Sequence, residues 1–159
     1  MALQKTVNKE QALGQPGQFY DASLRRVTAY KLDNVDSKKE SIGRVFTFDA
    51  DGQPQLGGTG KFAGILCHPQ AYARLGLEPS LAVAQGSAGE LADLGRLVVL
   101  SSATAKPADK VQYDTTTGEI AGAAPEEAAA GMALLPGAVF FMYSAEADGL
   151  AVIQLGATE

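Results

Sequence analysis

The sequence predicts an all-β fold: an antiparallel β-barrel or sandwich with an extended N-terminal arm and one or two short helices. Three observations carry this reading. Apolar runs of strand length recur along the chain, as in Ile42 to Phe48, Phe62 to Leu66 and Leu150 to Leu155. Glycine-rich turns separate them, at Asp51-Gly52, Gly57-Gly58-Thr59-Gly60 and Asp148-Gly149. No strand–helix–strand alternation appears, which argues against a doubly wound parallel sheet. Short antiparallel strands bury themselves by closing into a barrel or stacking as a sandwich.

The division predicted is an arm over residues 1–24 and a single β-rich domain over 25–159. The arm is polar, with Gln11, Gln15 and Gln18 and the turn-like Gly14-Gln15-Pro16-Gly17, and it has neither strand alternation nor strong helical periodicity. It leads into Phe19-Tyr20. Val27 to Leu32 is the first strand, followed by the polar loop Asp33 to Ser41. In Ile42 to Phe48 the two-residue repeat puts Ile42, Phe46 and Phe48 on one face and Val45 and Thr47 on the other. Asp49-Ala50-Asp51-Gly52 closes a turn whose Asp-Gly pair suits positive φ. Phe62 to Leu66 follows the glycine run as a strand.

Pro69 to Gly76 reads as a short helix, with proline in its first turn and glycine at its stop. Leu97 to Leu100 is an unbroken apolar run of strand length. Val111 to Asp114 alternates, and Thr115-Thr116-Thr117-Gly118 folds it back onto Glu119-Ile120-Ala121. Pro125 to Ala130 is either one or two helical turns or a surface loop. Ala138 to Ser144 and Leu150 to Leu155 are apolar on both faces, as central strands are, and Ala145 to Gly149 makes the hairpin between them.

Composition sets the limits. The chain has 159 residues, 46% of them apolar and 19% charged, which is enough for one compact core. No run of about 18 apolar residues is present to span a membrane as a helix, and the N-terminus has no apolar core of a secretion signal. Net charge is −5, which disfavours general binding to phosphate backbones. The charge is uneven: residues 1–48 hold eight Lys/Arg and five Asp/Glu, residues 49–159 five and thirteen, giving +3 and −8. Such asymmetry suits head-to-tail or partner contacts, or simply two solvated surfaces. With one cysteine, Cys67, no internal disulfide forms; its place after Phe62 to Leu66 reads as a buried, inert thiol.

No catalytic set assembles from the residues. His68 is the sole histidine, so multi-histidine zinc sites are excluded. Cys67 and His68, as neighbours in a strand, point to opposite faces and do not pair as nucleophile and base. Gly57 to Lys61 superficially resembles a phosphate loop, but Gln55 stands where the first glycine is required and Phe62 where Ser or Thr must hold magnesium. Gln85 to Gly89 fails as a nucleophile elbow on glycine placement. Asp49, Asp51 and Gly52 lack the remaining acids of a calcium loop. A hydrolase using Ser87 and His68 needs those groups within hydrogen-bond reach. No catalytic residue, cofactor site or metal site is expected.

Several phrases together carry a family resemblance. They are Thr6-Val7-Asn8, Gln15 to Asp21 (QPGQFYD), Ile42 to Thr47 (IGRVFT), Gly58 to Leu66 (GTGKFAGIL), Pro69 to Ala73 (PQAYA), Gly95 to Val99 (GRLVV), and Asp109 to Asp114 (DKVQYD) with Thr117-Gly118. Up to about residue 120 the chain resembles the structural cement, or head-decoration, proteins of tailed bacteriophages. One departure is Ala108-Asp109 where the pattern has Gly-Asp.

The resemblance implies a non-enzymatic virion protein, made in the host cytoplasm. It would sit on the outer surface of the head and clamp neighbouring major capsid protein subunits after the shell expands. It also implies self-association as a dimer or trimer. Val7, Pro16, Phe19 and Tyr20 are then the expected shell contacts, with Arg25 and Arg26 meeting acidic shell groups. Alternatively Phe19 and Tyr20 cap the protein's own core, and the two arginines are merely solvated. A different class, a small β-sandwich module for carbohydrate or peptide, is less well supplied, since the chain has no Trp and its eleven Phe/Tyr lie mostly in apolar runs.

Overall fold

A computed structural model describes residues 13–36, 39–69, 83–123, 128–143 and 145–156. Nine strands follow in order: β1 (Arg26–Leu32), β2 (Val45–Phe48), β3 (Pro54–Leu56), β4 (Phe62–Leu66), β5 (Ser87–Ser101), β6 (Lys110–Asp114), β7 (Ile120–Ala123), β8 (Met132–Met142) and β9 (Gly149–Leu155). Among the described residues there is no helix. The helix expected from Pro69 to Gly76 falls outside the described residues apart from Pro69 itself. Of Pro125 to Ala130, only 128–130 are described, and they are not helical.

The architecture turns on β5. Its N-terminal half pairs with β1 on one side (Thr28↔Leu91, Tyr30↔Gly89) and with β4 on the other (Ile65↔Ala92). Its C-terminal half pairs with β9 from Gly95↔Leu155 to Ser101↔Gly149. From β9 the ladder runs through β8, β6 and β7 and returns to β5 through the parallel bridge Ser101↔Ile120, closing a barrel. The other half is a second ring, β1–β5–β4–β2–β3, in which the bridge Asn34↔Gln55 brings β3 back beside the end of β1. Closure leaves few exposed edges.

Each ring fills its own interior. The larger core joins Leu97, Val99, Val111, Tyr113, Ile120, Leu135, Phe140 and Ile153 with Val45 and Ile65. The smaller holds Leu32, Val35, Ile42, Phe46, Ala63, Leu66, Val83 and Leu91. β2 divides between them, with Val45 in the first and Phe46 in the second, as the two-residue repeat requires. Both Val45 and Phe46 are fully buried.

Several boundaries differ from the sequence expectation. β2 starts at Val45 because Ile42-Gly43 turns, Arg44 N–H donating to the Ser41 carbonyl at 3.2 Å. β8 starts at Met132, six residues before the expected Ala138. It passes through Pro136, which sits in a bulge between the pairs Lys110↔Val139 and Gln112↔Leu134, where no ladder hydrogen bond is asked of it. The Asp-Gly turn after β2 forms as expected: Asp49 Oδ1 accepts from the N–H of Asp51 (2.9 Å) and of Gln53 (2.8 Å). In the glycine run, a Cβ on Gly60 would strike the carbonyl oxygen of Phe48, so the run serves close backbone approach.

Candidate functional site

Residues 13–24 lie along the body. Gly17 N–H donates to the Val98 carbonyl (2.8 Å), Val98 N–H to Gln18 (2.9 Å) and Tyr20 N–H to Arg96 (2.9 Å), with Phe19 bridging Leu97. The segment is therefore a short added strand beside β5. On its other side the Gly17 carbonyl accepts from His68 N–H at 2.9 Å. Gly17 has φ +80°, and a Cβ there would sit 2.7 Å from both His68 N and the Leu66 carbonyl oxygen. Only glycine lets the chain pass between β5 and the end of β4.

Side chains then lock what the backbone has placed. Phe19 is half-buried and packs against the larger core, and the Arg25 guanidinium lies 4.9 Å from its ring centroid. Tyr20 shares a hydroxyl hydrogen bond with Tyr143 (3.2 Å) and donates to Met142 Sδ (3.5 Å); its ring meets Tyr143 edge-on with centroids 6.4 Å apart. That shared bond pushes the Tyr20 hydroxyl above its ordinary pKa. Tyr143 holds a left-handed backbone (φ 65°), a conformation costly for a bulky residue.

Arg96 of β5 is the hub. Its guanidinium carbon lies 3.8 Å from the Phe141 ring centroid, Nη1 donates to Asp21 Oδ2 at 2.9 Å, and Nε donates to Gln154 Oε1 at 3.2 Å. The Asp21 carboxyl is held down at about 2, first by hydrogen bonding from Ser23 and then by Arg96. A planar, permanently charged fork that stacks on one ring and pairs with one carboxylate suits arginine and not lysine.

Phe19, Tyr20 and Arg25 thus come together along one groove of about 790 Å³, whose walls include Gln18, Val27 and Glu90. Pro16 does not line that groove and packs against Gly43. Arg26 is drawn away to the β1–β5 ladder, where Nε donates to both Asp93 oxygens at 2.7 and 3.0 Å. Val7 lies outside the described residues, with the rest of residues 1–12. Residues that the sequence reading passed over are Arg96, Tyr143 and Leu24, the last standing 81% exposed next to Arg25. An arginine at the head of the apolar run Leu97 to Leu100 was the one available signal for Arg96.

Cys67 also lies in the wall of this groove. Burial pushes the Cys67 thiol up to about 12, so it stays protonated and unreactive near neutrality. Ser87 Oγ is engaged with the Ala84 carbonyl at 2.6 Å. Among the described residues no group of three His, Cys, Asp or Glu side chains is placed to hold a metal ion.

Comparison with known proteins supplies the family. The family model described as structural cement protein (E217 gp24/Pam3 gp6) matches residues 3–156. Among solved structures, a chain from the capsid of the Myoviridae phage XM1 superposes with a TM-score of 0.67, covering 98% of each chain at 19% identity, a likeness of fold. No curated protein sequence matches significantly. With a family match running nearly end to end over a twin-ringed β body, the chain belongs to the phage structural cement protein family.

Proposed function

We propose that this protein binds the outer surface of a tailed-phage head and cements neighbouring major capsid protein subunits, stabilising the expanded shell. It catalyses no reaction, takes no cofactor, and binds neither nucleic acid nor membrane. The family match over residues 3–156 is the observation that carries this reading.

The physical requirements of a clamp support it. A clamp needs a body that does not deform, and two filled rings sharing one long strand supply it. It also needs a reaching element with a fixed point of departure. Residues 17–20 are hydrogen-bonded to β5 on one side and to His68 on the other. The twelve residues ahead of Leu13, with Val7 among them, would span about 40 Å if extended, enough to cross a subunit boundary. Strand pairing with a shell protein would hold such an extended segment, each fixed residue costing roughly 1–2 kcal/mol in backbone entropy. Phe19, Tyr20 and Arg25 in the groove, and Leu24 beside it, offer the amphipathic surface that a shell loop would meet. Repetition over a lattice multiplies modest individual contacts. In this reading the protein acts as a dimer or trimer.

The test is addition of purified protein to expanded heads that lack it, followed by cryo-electron microscopy and thermal challenge. Regular density on the outer face and a higher disruption temperature are expected. Deleting residues 1–12 should leave a folded protein of reduced occupancy. Density on the inner face, or no gain in head stability, contradicts the proposal.

A further inference from the structure

Tyr20 and Tyr143 stand 123 positions apart in the chain, yet their hydroxyl oxygens are 3.2 Å apart in the fold. The rings meet edge-on, with centroids 6.4 Å apart and planes at 75°. Both reach solvent: Tyr20 is half-buried, and Tyr143, one residue past the end of β8, is exposed. Arg96 pre-organises the pair. It holds Asp21, next to Tyr20, at 2.9 Å, and it stacks at 3.8 Å on Phe141, two residues before Tyr143. A bulky residue keeps a φ of 65°, as Tyr143 does, only where its contacts compensate; its ring and its hydroxyl both engage Tyr20.

We propose that Tyr20 and Tyr143 form an oxidative cross-linking site, at which a one-electron oxidant joins the two rings carbon to carbon and fixes residues 17–21 to the barrel. Each phenol gives up one electron and its hydroxyl proton, leaving a phenoxyl radical with unpaired spin on the ring carbons beside the oxygen. The hydroxyl contact already brings those ends of the rings together. One such carbon from each ring forms the new bond. The hydrogen on each of these carbons then passes through solvent to its own oxygen and restores the phenol. Overall, two C–H bonds break, one C–C bond forms, and two electrons and two protons leave. The oxidant is of the haem-peroxidase class acting with hydrogen peroxide, which takes up both electrons and both protons and becomes two molecules of water. Because the rings are held in contact, coupling occurs within one chain and needs no collision between chains.

The other tyrosines are placed differently. Tyr113 is buried and donates its hydroxyl to the Gly58 carbonyl at 3.1 Å. Tyr30 packs on Phe48, a ring without a hydroxyl, with centroids 5.6 Å apart. Tyr72 lies outside the described residues. Met142 sits beside the pair, its Sδ accepting from the Tyr20 hydroxyl at 3.5 Å. Hydrogen peroxide alone transfers oxygen to such a thioether and gives the sulfoxide without joining the rings. The class of oxidant therefore selects the product.

The test treats the full-length protein with a haem peroxidase and hydrogen peroxide. The expected product is a single chain lighter by two hydrogen atoms, with dityrosine fluorescence and one linked pair of peptides carrying Tyr20 and Tyr143. Its yield per chain should stay constant across about a hundredfold dilution. Tyr20→Phe and Tyr143→Phe should each abolish the link with an unchanged circular-dichroism spectrum, whereas Tyr30→Phe should retain it. In the linked protein, hydrogen exchange at the Val98 amide, which donates to the Gln18 carbonyl, should slow by about tenfold. Links formed only between chains, a yield indifferent to Tyr143→Phe, loss of the link in Tyr30→Phe, or unchanged exchange at Val98 overturns the proposal.

Discussion

Arg96 Nη1 donates to Asp21 Oδ2 at 2.9 Å, a contact that ties the longest strand of the body to the segment laid against it. Because Arg96 also stacks on Phe141 at 3.8 Å, its fork has little freedom to follow Asp21 elsewhere. Residues 17–21 are therefore held to the body by a side-chain clamp as well as by backbone pairing.

Hydrogen bonding from Ser23, and then this clamp, give Asp21 a pH signature. The folded Asp21 carboxyl lies at about 2 against an ordinary 3.8. A depressed folded value favours the native state while the group is ionised, so the contribution is complete above the unfolded value and drains away as pH falls toward about 2. Melting temperatures of wild type and Asp21→Asn should differ at pH 6 and converge as pH approaches 2. A difference that persists undiminished at low pH would show that the carboxylate charge is not responsible.

Gly17→Ala tests the seating of the segment. The new methyl would lie 2.7 Å from the His68 nitrogen and the Leu66 carbonyl oxygen, on a backbone at φ +80°. Loss of about 1–3 kcal/mol is expected from strain and displacement together. Hydrogen exchange should accelerate at the amides of Val98 and His68, which the segment protects, and stay slow at Val152 in the barrel.

Cys67 should be silent to thiol reagents in the native protein. With its thiol pushed up to about 12 by burial, almost no thiolate exists at pH 8. Ellman titration should give no reaction until denaturant is added, and then one equivalent. Rapid native labelling would contradict the buried placement.

Phe46 and Phe140 fill different cores, each about 1% exposed or less. Truncating either to Ala should cost about 3–5 kcal/mol. Because β5 contributes to both rings, each variant should lower one common unfolding transition seen by calorimetry. Two separated transitions would mean that the rings unfold independently.

Local pattern made much of this fold legible. The alternation in Ile42 to Phe48 assigned faces that the two cores then used, Val45 to one and Phe46 to the other. Asp51-Gly52 marked its turn because glycine alone takes φ 75° without strain. β3 escaped notice, since Pro54-Gln55-Leu56 is three residues long and begins with a poor strand former. The first half of β5 escaped for a related reason. Ser87 to Asp93 contains no β-branched or aromatic residue, and its extended state is imposed by β1 and β4 on either side. Gly89 there leaves room for Leu32 and Leu66 from both neighbours, since a Cβ would meet their methyl groups.

Taken alone, the chain's letters determined an all-β class, the position of most strands and turns, and a kinship with phage cement proteins. Tertiary structure decided that two rings share β5, that residues 17–20 are bound to the body, and that the Arg96 side chain clamps Asp21 beside them. Those facts rest on pairings between positions some 75 residues apart, such as Asp21 with Arg96. Period and propensity report only what a residue's neighbours in sequence require, whereas such contacts exist only once distant strands have closed upon one another.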